Sequence, residues 1–139
     1  MHASSSHGSV DMLGSARLAY LAEDLCRHLS SMCRMHNDYG SLQRDADEHN
    51  LNSTNFPEFH LETFSYHRAG VEIWDKSAKG DLLWIADYER HGVQTALTLL
   101  ATELGSLQKH VIDPLKLFIN VTDLYGQIYV LRDIGTRTK

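Results

Sequence analysis

Apolar side chains recur at intervals of three and four residues along most of the chain, a spacing typical of amphipathic helices. The first apolar stripe consists of Leu18, Leu21, Leu25, Leu29 and Met32. It predicts one long helix over about 15–47. Gly40 lies inside this helix, where glycine costs up to about 1 kcal/mol relative to alanine. It indicates close approach of either another helix or a ligand, and the sequence does not distinguish the two.

Turn-forming residues interrupt the pattern after this helix. A segment rich in Asn, Asp and Ser, residues 47–55, predicts a break, because these side chains hydrogen-bond to their own backbone. A second helix is predicted over about 57–77, entered at Pro57, since proline is tolerated in the first helical turn. Residues 79–81 predict a short turn in which Asp81 is the N-cap of the next helix.

Two more helices are predicted in the rest of the chain. One covers about 81–104, and the last begins near Pro114 and runs to about 133. The apolar positions of the last helix are also spaced by threes and fours: Leu117, Val121, Leu124, Ile128 and Leu131. We therefore predict an all-α domain of about four main helices over 15–135, with a disordered leader at 1–14 and a frayed tail at 136–139.

Composition limits the function classes. The 139 residues fit one domain, and the formal net charge of −5 does not suggest a nucleic-acid partner. No apolar run approaches the roughly 20 residues of a membrane span, and the polar first residues lack the apolar core of a secretory signal. Cys26 and Cys33 are seven residues apart, beyond disulfide reach on one helix. Two free thiols predict a reducing, cytoplasmic location.

Three oxygen-bearing side chains recur every four residues within the first helix. Asn37, Ser41 and Asp45 therefore share one helix face, one turn apart. Oxygen donors suit a hard cation such as Mg²⁺, and Arg44 beside them suits an anionic phosphate. The alternative interpretation is an ordinary solvated polar face, on which Arg44 is a surface arginine.

The geometry of one helix makes this site incomplete by itself. The three side chains span roughly 12 Å along the axis, and the short side chain of Asp45 reaches less far than a glutamate. Asn37 and Ser41 are neutral, so the helix supplies only one negative charge. The metal interpretation therefore requires a phosphate-bearing ligand to complete the coordination shell.

The motif and its surroundings resemble a known family. The pattern Asn37-Asp38-x-x-Ser41-x-x-x-Asp45 resembles the second metal-binding motif of class I terpene cyclases. The segments 33–41, 50–53, 56–59 and 121–129 resemble fungal bifunctional diterpene cyclases of the copalyl diphosphate/ent-kaurene synthase type. The resemblance covers about 18–135 in the same order, and it implies the C-terminal half of a class I helical bundle.

The resemblance also implies a chemistry and a set of ligands. In this family Mg²⁺ ions hold a prenyl diphosphate, whose ionisation leaves an allylic carbocation that cyclises. Carried over by position, Asn37, Ser41 and Asp45 would bind Mg²⁺, and Arg44 would contact the diphosphate of geranylgeranyl or copalyl diphosphate. Whether Tyr129 and Arg132 close over the diphosphate, as an Arg–Tyr pair does in some relatives, stays open.

Two departures from the family pattern shape the expected activity. Asp45 stands where the family usually has glutamate, and the sequence contains no aspartate-rich motif of the Asp-Asp-x-x-Asp/Glu type. We therefore expect no cyclase turnover from this chain alone. The alternative is a non-catalytic helical remnant or interaction module. In either case half a bundle is expected to expose an apolar face, through which copies could self-associate.

Overall fold

The computed structural model describes residues 14–60, 74–106 and 109–136. These residues form three long helices: α1 (Ala16–Glu48), α2 (Trp74–Leu104) and α3 (Lys109–Thr136). Two short 3₁₀ helices, Ser53–Asn55 and Pro57–His60, follow α1. The described part of the chain contains no β-strand, which confirms the all-α prediction.

The first helix follows its prediction closely. Ser15 is the N-cap, and its hydroxyl accepts a hydrogen bond from the Leu18 N–H at 3.2 Å. The helix ends at Glu48, and the C-cap residue His49 adopts a left-handed conformation with φ of 58°. Leu25 and Met32 are fully buried, and the other three residues of the apolar stripe are partly buried at the edge of the core.

α1 lies between the other two helices. Arg17 forms an ion pair with Glu103 at 3.6 Å, and the Lys79 ammonium lies 5.1 Å from the centre of the Tyr39 ring. The start of α1 thus contacts the end of α2, and the later part of α1 contacts the start of α2, so these two helices are antiparallel. One continuous core joins all three helices: Leu25, Val93, Ala96, Leu97, Leu100, Ile112 and Ile119.

α3 runs parallel to α1 and approaches it closely at two glycines. A Cβ added to Gly40 of α1 would lie 2.9 Å from the Tyr129 Cβ and 3.0 Å from its carbonyl oxygen. A Cβ added to Gly126 of α3 would clash with the His36 ring. Gly40 therefore serves the approach of another helix, which was one of the two alternatives that the sequence left open.

The predicted turn at 79–81 is wrong, because α2 is continuous through these residues. Ala78 and Lys79 are buried, so packing against α1 stabilises the helix there and outweighs the low helix propensity of Gly80. The predicted helix over 57–77 begins instead as the 3₁₀ helix Pro57–His60. Its middle, 61–73, lies outside the described residues.

The predicted start of the last helix is also wrong. α3 begins at Lys109, and Pro114 lies inside it as the sixth residue. Proline removes one backbone hydrogen bond there, but the preceding turn has two supports. Ile112 is buried in the core, and Lys109 contacts Asp113 at 2.5 Å. The predicted leader and tail fall largely outside the described residues.

The apolar stripe of α3 points away from the other helices. Its five residues are 50–66% exposed: Leu117, Val121, Leu124, Ile128 and Leu131. Their spacing correctly predicts a helix, but the side packed on α1 carries Ile112, Ile119 and Gly126 instead. No helix in the described ranges is long and apolar enough to cross a membrane.

Candidate metal and diphosphate site

The motif occupies the C-terminal part of α1, where the following loop folds back onto the helix. Its three predicted metal ligands lie in different surroundings. Asn37 is exposed, whereas Ser41 and Asp45 are only 3% and 6% exposed. The structure therefore brings Ser41 and Asp45 together beneath the loop and leaves Asn37 at the surface.

Asp45 is held by neighbours on both sides. The Ser41 hydroxyl donates a hydrogen bond to Asp45 Oδ2 at 2.5 Å, and the Asn52 side-chain amide donates a second at 2.9 Å. Burial by itself raises the pKa of Asp45, but these two hydrogen bonds and the nearby Arg44 charge outweigh it. The pKa consequently lies below its ordinary value, and Asp45 is a carboxylate at neutral pH.

Asp38 is the most buried carboxylate of the motif, and sequence reasoning gave it no role. It is 2% exposed, and its Oδ2 accepts from Arg34 Nε and from the Ser53 N–H, both at 2.9 Å. The Ser53 hydroxyl donates to the same oxygen. Asp38 therefore ties the loop after α1 back to the helix.

Asn52 organises the loop that covers the motif. Its amide nitrogen donates to the Asp38 carbonyl oxygen at 2.9 Å, and its side-chain oxygen accepts from the Thr54 N–H at 3.1 Å. Asn55 completes a capping box by accepting from the Asn52 N–H at 2.8 Å. The break predicted over 47–55 is thus an anchored loop, and its Asn-x-x-Asn spacing was the available signal.

Arg44 is placed where an anion could reach it. Its side chain is 60% exposed, and Nη2 lies 3.7 Å from Asp45 Oδ1. This long contact leaves most of the planar guanidinium accessible for a diphosphate. The position agrees with the role that the sequence predicts, without testing it.

The C-terminal half of α3 lies directly against the motif. Tyr129 contacts Gly40, which separates Asn37 from Ser41 in sequence. Arg132 is exposed one turn further along the same helix. The two residues whose role the sequence left open are therefore on the helix that packs on the motif.

A second polar cluster joins α2 and α3 beside His36 and Cys33, which directly precede the motif on α1. Arg90 of α2 donates two hydrogen bonds to Asp123 of α3, at 3.0 and 2.8 Å. Burial raises the pKa of Asp123, but these hydrogen bonds and the Arg90 charge lower it overall. The sequence carried no signal for this pair, because its members are 33 residues apart on different helices.

His36 lies beside this ion pair. It is 3% exposed, and its Nδ1 has no hydrogen-bond partner among the described residues. Burial lowers the pKa of His36, the positive charge of Arg90 lowers it further, and Asp123 partly opposes both. Burial also raises the pKa of the neighbouring Cys33 thiol, and Asp123 adds to that effect.

The donor set of the motif fits a hard cation in its chemistry. Ser41 acts as the hydrogen donor to Asp45, so its oxygen lone pairs remain available. Asp45 Oδ1 has, among the described residues, only the long contact with Arg44. All predicted donors are oxygens, as Mg²⁺ prefers. Within the described ranges no group of three or more His, Cys, Asp or Glu side chains could hold a metal.

Comparison with known proteins found relatives that are all named as synthases of diterpenes. Over 115 residues, 81% of this chain, it is 44% identical to the pimaradiene synthase of Emericella nidulans. Over 137 residues, 93% of the chain, it is 37% identical to the ent-kaur-16-ene synthase of Fusarium fujikuroi. Over 130 residues, 86% of the chain, it is 38% identical to the phyllocladan-16-alpha-ol synthase of Phomopsis amygdali.

The matched region is a small part of each relative. The chain spans 11–14% of the length of these three proteins. No family model matches the chain, and no solved structure matches it.

Proposed function

Because the chain is homologous to a segment of the fungal diterpene synthases, we propose that it forms the C-terminal part of a class I cyclase site. In this proposal Asn37, Ser41 and Asp45 hold one Mg²⁺, and Arg44 binds the diphosphate of a prenyl substrate such as geranylgeranyl or copalyl diphosphate. The reaction class is ionisation of the diphosphate ester followed by cyclisation of the carbocation.

One observation carries the proposal most strongly. Ser41 and Asp45 are fixed to each other and to Asn52 before any ligand arrives, so their oxygens are preorganised beside an exposed Asn37 and Arg44. Preorganised donors bind a charged ligand with a smaller loss of conformational entropy, because their side chains are already ordered. An ordinary solvated helix face does not bury its carboxylate under a hydrogen-bonded loop.

The residues of this chain have separate roles in the proposal. Asn52 orients Asp45 and keeps it ionised, Ser41 contributes a hydroxyl oxygen, and Arg44 offers its planar fork to phosphate oxygens. When bound, Mg²⁺ supplies charge stabilisation for the departing diphosphate. The sequence contains no aspartate-rich motif, so turnover requires carboxylates that this chain does not supply.

Binding of Mg²⁺ with inorganic pyrophosphate tests the proposal directly. Calorimetry should detect pyrophosphate binding that depends on Mg²⁺, and Asn37→Ala should weaken it about tenfold through loss of one ligand. Asn37 is suitable because its side chain is exposed and its removal does not disturb the core. Gln43→Ala, an exposed polar change on the same helix, is the matched control and should bind normally.

Arg44→Gln separates diphosphate contact from metal binding. The variant should weaken pyrophosphate binding while leaving Asp45 and its hydrogen bonds in place. Equal affinity in the native chain, Asn37→Ala and Arg44→Gln would refute the proposed site. Terpene hydrocarbons formed by this chain alone from geranylgeranyl diphosphate and Mg²⁺ would refute the requirement for further carboxylates.

The exposed apolar residues of α3 favour a second candidate function, a non-catalytic helical interaction module. This candidate predicts association through α3 that does not respond to Mg²⁺ or diphosphate. The two functions are thus separated by adding both ligands to the same association measurement.

A further inference from the structure

The exposed stripe of α3 has the residue pattern of a helix-pairing seam. Its five members follow one another at intervals of four, three, four and three residues: Leu117, Val121, Leu124, Ile128 and Leu131. This is the heptad spacing that keeps apolar residues on one side of a helix. In heptad letters, Val121 and Ile128 occupy a positions and the three leucines occupy d positions.

The residue types at these positions are themselves informative. β-branched residues at a combined with leucine at d favour two parallel strands over larger assemblies. The a and d residues are 50–66% exposed. Three of the f positions, on the opposite side of the helix, are Ile112, Ile119 and Gly126, and these three are buried in this chain's own fold. α3 therefore uses its f side for α1 and presents the a/d side outward.

We propose that the a/d stripe of α3 pairs two copies of this chain in parallel, α3 against α3. The inference rests on the interaction-module candidate and is independent of diphosphate binding. A second copy supplies the same patch around a two-fold axis, so one contact closes the assembly. Among the long helices that the structure describes, the two α3 helices then lie at the centre of the pair.

The area of the patch is sufficient for a stable pair. Phe118 and Tyr125 lie at the neighbouring e positions and are 59% and 62% exposed, which widens the stripe to seven side chains. If each loses about 100 Å² of accessible surface, the pair buries about 1,400 Å² in total, within the roughly 1,200–2,000 Å² of standard interfaces.

Flanking charges do not oppose this pairing. Asn120 and Gln127 occupy the two g positions within the stripe and are neutral, so parallel packing places no like charges opposite one another beside Phe118 and Tyr125. The stripe covers only about two heptads, which is short for isolated helices. Here, however, α3 is already held as a helix by α1, so association does not have to supply the free energy of helix formation.

Light scattering of the native chain at about 1–100 µM tests the pairing. We expect a concentration-dependent dimer, and Leu124→Asp should weaken dimerisation at least a hundredfold because it places charge at the centre of the seam. Leu99→Asp, the same change at a 51% exposed leucine of α2, is the matched control and should leave the dimer intact. Circular dichroism should show native helix content in both variants.

Disulfide trapping tests the parallel orientation. In a Cys26→Ser, Cys33→Ala background, Leu131→Cys should form an intermolecular disulfide with oxidised glutathione, because only parallel pairing brings the two copies of this off-centre position together. Failure to form it in a dimer would overturn the parallel arrangement. A monomer at 100 µM, or larger assemblies that persist in Leu124→Asp, would overturn the pairing. If the native chain dimerises but does not bind pyrophosphate with Mg²⁺, the metal site is rejected and the pairing stands.

Discussion

Two apolar stripes of this chain are both spaced by threes and fours, but one is covered by other helices and the other is exposed. The stripe of α1, centred on Leu25, is enclosed by α2 and α3, whereas the stripe of α3, centred on Leu124, is exposed. Both correctly predict helices, because helix formation reflects local periodicity. The difference teaches that periodicity identifies an apolar face but does not reveal which partner, if any, covers it.

The largest expected difference is in the free energy of unfolding when one leucine in each stripe is replaced by alanine. Leu25→Ala should lower the free energy of unfolding by about 2–5 kcal/mol, since it removes buried contacts and leaves a cavity. Leu124→Ala should cost less than about 0.5 kcal/mol at nanomolar concentration, where the chain is monomeric. Chemical denaturation at low and high protein concentration measures both, and equal losses in the two variants would contradict the assigned faces.

The polar end of α1 offers a second contrast between buried and exposed positions. Asn52→Ala should lower the free energy of unfolding by about 2–3 kcal/mol, because Asp45 and the Asp38 carbonyl lose a buried donor. Asn50→Ala is the control: Asn50 is exposed, and among the described residues its side chain donates only to Glu48, so the change should be under about 0.5 kcal/mol. Similar small effects in both would mean that the loop is not anchored.

Two helix glycines sharpen the distinction between contacted and open surfaces. Gly40→Ala should destabilise by about 1–2 kcal/mol, since its methyl group would meet the Tyr129 backbone and overpacking outweighs the gain in helix propensity. Gly80→Ala should stabilise by up to about 1 kcal/mol, because nothing lies within 4 Å of the added carbon. Thermal melts compare the two variants, and a higher melting temperature in Gly40→Ala would reject the α1–α3 contact.

The smallest expected effect is the pH dependence of stability that arises from His36, where α1 packs against α3. Burial and the Arg90 charge lower the pKa of His36 below the ordinary value of 6.5, so the unfolded chain binds this proton more readily. The contribution of neutral His36 to the free energy of unfolding should therefore be fully present above pH 6.5 and decrease as the pH falls below it. The Asp123 carboxylate faces His36 from α3 and the Cys33 thiol lies one turn away, and neither reverses this direction.

His36→Gln removes the titrating group and should flatten the dependence of unfolding free energy on pH between 7.5 and 5.5. His110→Gln, at an exposed position of α3, is the control and should retain the native slope. A native slope in the first variant would assign the pH dependence to other histidines.

Much of the candidate site could be predicted from its spacing. The interval of four residues placed Asn37, Ser41 and Asp45 on one helix, and the structure keeps them there. Their different exposure could not be predicted, because it depends on a loop whose Asn52 and Ser53 contact the helix from 14 or 15 residues away. Asp38 was missed for the same reason.

The sequence by itself determined the helical class, the extent of α1 and the position of the oxygen-bearing motif, because each depends on interactions between residues a few positions apart. It placed the turn at 79–81 and the start of α3 wrongly, since burial of Lys79 and Ile112 outweighs the local preferences of Gly80 and Pro114. Only the tertiary structure decided which carboxylates are buried and which apolar stripe stays exposed. The first outcome depends on the loop of Asn52 and Ser53 folding onto α1, and the second on how α3 packs against α1; no local pattern encodes either.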